Sequence, residues 1–218
     1  MLPKTEVKME KSVYSVVLND YLVDELDRLA FKKGVSRSVM LNKILTEYLN
    51  VETPDSLTEN VFSRMEKLFC EIEGMKFVNN PSLYTASVSS ALSYRYNPTL
   101  KYSLELFPAG DLGQLKISLR SQSRALFEKM ENFYLLFIGI EKKHIGERTY
   151  FYQDGRFVRI LKRPESAGAN EIGEAISAYV KEFDEYLKSY FLYDCDERAA
   201  AIIEKNYADN LKNKKVIL

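Results

Sequence analysis

The stretch of this chain best equipped for chemistry is Gly34-Val35-Ser36-Arg37-Ser38, and the chemistry it suits is anion binding. Ser36 has the side chain of a helix N-cap, and Met40, Leu41, Ile44, Leu45 and Tyr48 follow it at helical spacing. The first turn of a helix presents backbone N–H groups without intrahelical partners and a partial positive charge, which suits a phosphate. Arg37 would add a full charge and Ser38 a hydroxyl donor. Taken alone, the same residues also describe an ordinary capped helix start with Arg37 solvated.

Other chemistries find little material. His144 is the only histidine; it lies in a charged stretch with no evident Cys, Ser or metal partner, and reads as a surface or loop residue. One histidine argues against a His-rich nickel or zinc site. Cys70 and Cys195 form no metal or redox motif. Gly139, Gly146, Gly168 and Gly173 are scattered, so no phosphate loop is formed. The carboxylates fall mostly at helical surface spacing, and none pairs clearly for acid–base work. The fifteen tyrosines and twelve phenylalanines could line a ligand pocket, but core packing explains most of them more simply. The expectation is a chain that is not an enzyme, with no catalytic residue, metal or cofactor.

The elements that would position the Ser36 turn come in a telling order. Val13–Leu18 is an apolar, β-branched run of strand length. A first helix follows, with Asn19 or Asp20 as its cap and Asp24 and Glu25 near its positive end. Leu22, Leu26, Leu29, Ala30 and the stem of Lys33 line one face. Lys32 and Lys33 suit its negative end, and Gly34 suits the left-handed residue that stops it. Val35 and Met40 bracket Ser36 as a hydrophobic staple. A lone strand leaves both edges unpaired, and two short helices cannot cover them. The same strand from a second copy can, giving an antiparallel ribbon backed by four helices. Such a ribbon fits the DNA major groove.

With strand, Gly34 break and Gly-Val-Ser-Arg-Ser turn in that order, residues 12–49 resemble the ribbon-helix-helix family, the CopG/Arc/MetJ-like bacterial and phage repressors. The resemblance covers about 40 of the 218 residues. It implies that outward strand residues meet base edges. Aligning Leu18 with the family's last inward strand position turns Tyr14, Val16 and Leu18 inward, into a dimer core shared with Leu26, Met40 and Ile44. Val13, Ser15 and Val17 then face the groove, with Lys11 at its edge, and Ser36, Arg37 and Ser38 hold the backbone. Family members usually present polar or basic residues to the groove. Here two of the three outward positions are valine, which can touch a thymine methyl but forms no hydrogen bond.

Charge does not single out nucleic acid. The chain carries 31 basic and 31 acidic residues, and residues 1–50 hold eight and seven. The polar start MLPKTEVKMEKS is not a signal peptide, and the longest apolar run, Phe133–Ile140, is too short to span a bilayer. Two unpaired thiols fit a reducing cytoplasm. After the short linker Asn50–Asp55, Ser56 and Glu59 read as a capping box. Val61, Met65, Leu68, Ile72 and Met75 then recur at alternating steps of four and three. That spacing suits either a helix on its own domain or an extension of the dimer interface. Alternation predicts strands over Thr85–Tyr96, Lys101–Phe107 and Gln114–Ser121, then a hairpin about Asp154-Gly155. Helices are expected near 123–143, 171–192 and 195–211, the last capped by Asp194 and Glu197.

The expected fold class is therefore α+β. A dimeric ribbon-helix-helix module at residues 1–50 precedes a domain at 56–218 with an antiparallel meander, a β-hairpin and several helices. The expected function is a cytoplasmic, sequence-specific DNA-binding protein, a transcriptional repressor. Its partners would be double-stranded DNA and itself, as a homodimer or higher even oligomer, with no membrane. The second domain would assist oligomerisation or sense a small-molecule or protein effector. Two other readings stay open: a protein-interaction module, antitoxin-like or for assembly, whose ribbon only dimerises, and an enzyme in the C-terminal region.

Overall fold

The computed structural model of the protein describes residues 13–49, 53–80, 82–193 and 197–218. The chain divides into two compact units, Met1–Thr53 and Pro54–Leu218.

In the first unit residues 13–19 belong to no helix or strand. A strand is defined by a hydrogen-bonded neighbour, and none of the described residues supplies one to Val13–Leu18. Helix α1 (Asp20–Lys33) and helix α2 (Arg37–Tyr48) follow. Asn19 is the N-cap of α1 but makes no side-chain cap hydrogen bond, and Asp20 is already helical. Gly34 ends α1 at φ 64°, and the Val35 N–H returns to the Ala30 carbonyl, a Schellman-type close. Among the described residues of this unit, Leu26, Ala30 and Met40 are buried, with Leu41 and Ile44 packed against them. The expected stripes are wider than what is covered. Leu22, Leu29, Leu45 and Tyr48 remain substantially exposed, because two short helices meet over a single patch.

The second unit is α+β. One six-stranded, wholly antiparallel sheet runs in the order β1-β2-β3-β4-β6-β5. Its strands are β1 (Lys76–Asn79), β2 (Thr85–Ala91), β3 (Thr99–Leu106), β4 (Gly113–Leu119), β5 (Tyr150–Gln153) and β6 (Arg156–Leu161). Four helices accompany it: α3 (Pro54–Cys70), α4 (Arg124–Ile145), α5 (Ala169–Leu192) and α6 (Glu197–Lys212). Alternation makes one sheet face apolar: Leu100, Tyr102, Leu104 and Leu106 of β3 are buried while Lys101 and Glu105 are exposed. The register aligns Val88, Tyr102, Ile117 and Phe157 in one inward row and Ala86, Leu104, Leu115 and Arg159 in the next. Phe133 and Phe137 of α4 and Phe183 of α5 meet edge to face above them, within one continuous core.

Several boundaries differ from the sequence expectation. Helix α3 starts at Pro54, whose fixed φ and missing N–H suit a first helical turn, so Ser56 and Glu59 lie inside it rather than at its cap position. It ends at Cys70, before Ile72 and Met75. Val61, Phe62, Met65 and Phe69 are buried in the second unit's own core, and α3 lies close against Gly173 of α5. Strand β2 stops at Ala91 rather than Tyr96. Tyr96 and Asn97 adopt positive φ in a turn, and Tyr96 is fully exposed. Strand β1 was not anticipated. Asp154 and Gly155 form the expected tight hairpin, both at positive φ. Asp194 and Cys195 lie outside the described residues. Among the described residues no helix is long and apolar enough to cross a membrane.

Candidate functional site

Ser36, Arg37 and Ser38 come together at the exposed start of α2. The Ser36 hydroxyl accepts from the Val39 N–H at 3.4 Å and so acts as a cap. Arg37 is not a free solvated side chain. Its Nε donates to Asp27 Oδ1 of α1 at 2.6 Å, and its Nη2 pairs with Asp27 Oδ2. The hydrogen bonds from Arg37 hold the Asp27 carboxyl below its ordinary value of 3.8, and they raise Arg37 in turn. This two-pronged pair spans the Gly34 turn and couples the two helices. It was missed because its partners stand ten positions apart on separate helices. An acidic residue about two turns before the Gly34 helix stop was the available signal.

The groove-facing candidates Val13, Ser15 and Val17 are exposed, the two valines at 98 % and 99 %. Tyr14 and Val16 are exposed as well, and Leu18 is half-buried. Leu26 and Met40 are buried within the chain itself, with Ile44 packed on them. Lys11 lies outside the described residues.

The second unit contains a polar cluster that sequence reasoning did not find. Arg159 of β6 and Glu141 of α4 are both essentially inaccessible, and Arg159 Nε donates to Glu141 Oε2 at 2.9 Å. The same carboxylate oxygen accepts from the hydroxyls of Tyr150 at 2.7 Å and Tyr179 at 3.3 Å, and Oε1 from Tyr207 at 3.5 Å. Burial, joined by the nearby Glu141 charge, drives all three phenols above their ordinary value, which keeps them neutral donors. The Arg159 guanidinium lies 4.6 Å from the centre of the Tyr179 ring, and its Nη2 donates to the Leu218 backbone oxygen at 2.7 Å. Its Nη1 is buried and finds no hydrogen-bond partner among the described residues. The signal was present in parity and period. Arg159 takes an inward place between Phe157 and Leu161, and Glu141 stands four residues beyond Phe137 on the apolar stripe of α4.

Asp184 of α5 is a second buried carboxylate. It accepts from Ser90 Oγ at 2.5 Å and Tyr102 Oη at 2.8 Å and pairs with Lys188 at 2.5 Å. His144 proves to be a helical, partly buried residue rather than a loop histidine. Its Nε2 lies 3.2 Å from Glu204 Oε1, and Lys143 pairs with the same oxygen at 2.5 Å. Both contacts hold Glu204 below its ordinary value, the Lys143 bond most. Neither group pairs a nucleophile with a base. Among the described residues no cluster of three or more His, Cys, Asp or Glu side chains could hold a metal ion.

No family model, no curated protein and no solved structure matches this chain.

Proposed function

We propose that the chain is a dimeric DNA-binding protein, a transcriptional repressor whose first unit pairs Val13–Leu18 with the same segment of a second copy. One observation carries this reading. Among the described residues, an apolar run lies exposed beside two helices whose shared core holds three buried side chains. A unit this small is not stabilised by so little burial, and a second copy supplies both a strand partner and cover for the spare apolar faces. The paired strands then enter the major groove with Ser15 outward, and the start of α2 meets phosphate on either side. Phosphate contact by Arg37 requires that it share or exchange Asp27.

The test is a titration of duplex DNA with the full chain at about 50 mM salt and above. Binding should weaken steeply with salt. Arg37→Ala should weaken it for all sequences alike and flatten the salt slope by about one unit. Ser15→Ala should change sequence preference more than overall affinity. No duplex binding by an intact dimer would defeat the reading.

A specific observation favours a second reading, a protein-interaction module whose ribbon only dimerises. Arg37 is already neutralised by Asp27, and the outward strand face is mostly valine. That face would then be covered by protein rather than DNA.

A further inference from the structure

The sheet of the second unit packs one face under its helices and presents the other. Along that outer face the register lines up Lys76, Ser89, Lys101 and Ser118 on β1 to β4. Arg156, one residue outside the Ile117–Phe157 pair, carries this row into β6, and Gln153 faces it from β5. The adjoining row holds Ser87, Ser103 and Lys116 between Val78 and Phe151 at the two edges. Alternation sets both rows opposite the buried Val88, Tyr102, Ile117 and Phe157.

Lys76, Lys101, Lys116 and Arg156 are exposed, and none of them forms an ion pair among the described residues. Elsewhere in this unit Arg64, Lys143, Lys188 and Lys214 are each paired with a carboxylate. Neither row of the outer face holds a carboxylate. Glu105, which accepts from Gln114, stands one row further along β3, and Asp154 lies in the hairpin turn. Four unpaired like charges on one face of a chain that is neutral overall raise the local positive potential and favour a polyanion.

The pattern also selects the polyanion. Lys76, Lys101 and Arg156 stand two strands apart at each step, so the row spans about 20 Å, the axial length of about six base pairs. The hydroxyls of Ser103 and Ser118, opposite Lys116 and Lys101, can donate to phosphate oxygens between the charges. Phe151, at the edge, is the one aromatic residue in either row. A single strand is held by stacking its bases on several aromatic rings, which these rows do not offer. A duplex turns a dense row of phosphates outward and asks for no stacking.

We propose that this outer sheet face is a second DNA-binding surface, which holds the phosphate backbone of duplex DNA without reading its sequence. It belongs to the second unit and does not depend on the ribbon.

Titrations of the full chain with a duplex of arbitrary sequence, the corresponding single strand and polyglutamate test this. The triple variant Lys101→Gln, Lys116→Gln, Arg156→Gln should bind every duplex at least about tenfold more weakly and flatten the salt slope by about 2.7, 0.9 for each lost phosphate contact. The same flattening should appear when the triple variant is built on Arg37→Ala, which separates this surface from the ribbon. Glu105→Gln removes the negative charge at the margin and should tighten duplex binding about threefold at low salt. Should the triple variant fail to fold, that single substitution decides. An unchanged slope in the triple variant, or no tightening by Glu105→Gln, overturns the proposal. Duplex binding weakened by Arg37→Ala and untouched by the triple variant overturns it while leaving the ribbon standing. The converse supports this surface and counts against the ribbon. Equal or tighter binding of the single strand overturns the proposal, as does a loss confined to polyglutamate, the mark of a surface for an acidic protein.

Discussion

Arg37 and Arg159 show how differently one residue type behaves at the surface and in the core. The Arg37–Asp27 pair is exposed, so solvent screens it. Its effect on folding follows the depressed Asp27 carboxyl. The contribution is complete above the ordinary value of 3.8 and is lost as pH falls through the lower folded value. Acid titration of helix content should therefore show Arg37→Gln less stable than the parent at neutral pH, with the difference closing below 3.8. Glu141 sits at the other extreme. Converting it to glutamine leaves the Arg159 charge buried without its counter-ion, a change that costs about 3–5 kcal/mol. Urea melts of Glu141→Gln should show a loss of that order. A loss near that of a surface substitution would mean that solvent reaches the cluster.

Among the elements, Val13–Leu18 and the β5–β6 hairpin test opposite kinds of strand. The first has no strand partner among the described residues. Val16→Pro removes a backbone donor at the centre of the proposed ribbon and should dissociate the dimer, seen as a fall in sedimentation coefficient at micromolar concentration. A dimer unmoved by proline there would exclude the ribbon. The hairpin turn is fully determined by its own residues and one neighbour. Gly155 has φ 69°, and a Cβ there would overlap the Phe127 ring. Gly155→Ala should cost at least the roughly 1–2 kcal/mol of a left-handed alanine, measured by denaturant unfolding. This hairpin was readable from Asp154-Gly155 because turn chemistry is local. The end of β2 was not. Leu92, Tyr94 and Tyr96 continue the alternation, and only the turn before Pro98 brings β3 back and ends it.

At the scale of the whole molecule, the division at Pro54 predicts different behaviour for the two units. Residues 54–218 hold a continuous core of their own and should melt cooperatively when expressed alone, followed by calorimetry. A fragment that stays unfolded would show that the first unit completes that core. Among the described residues the first unit has a far smaller core, and its folding should depend on concentration if a second copy supplies what it lacks.

Local chemistry alone determined much of this protein. The Gly34 stop, the Ser36 cap, the Asp154-Gly155 turn and the inward faces of β3, β4 and α4 depend on residues within a few positions of one another, where backbone preference and period act. Tertiary structure alone decided that β6 joins β4 to make one sheet, and that Arg37 reaches Asp27. It also brought Glu141 and Arg159 together under three tyrosines and Leu218. Their sequence positions told only that each faces inward. Which opposite charge stands across the core is set by how α4 packs on β6, and burial then makes that pairing obligatory.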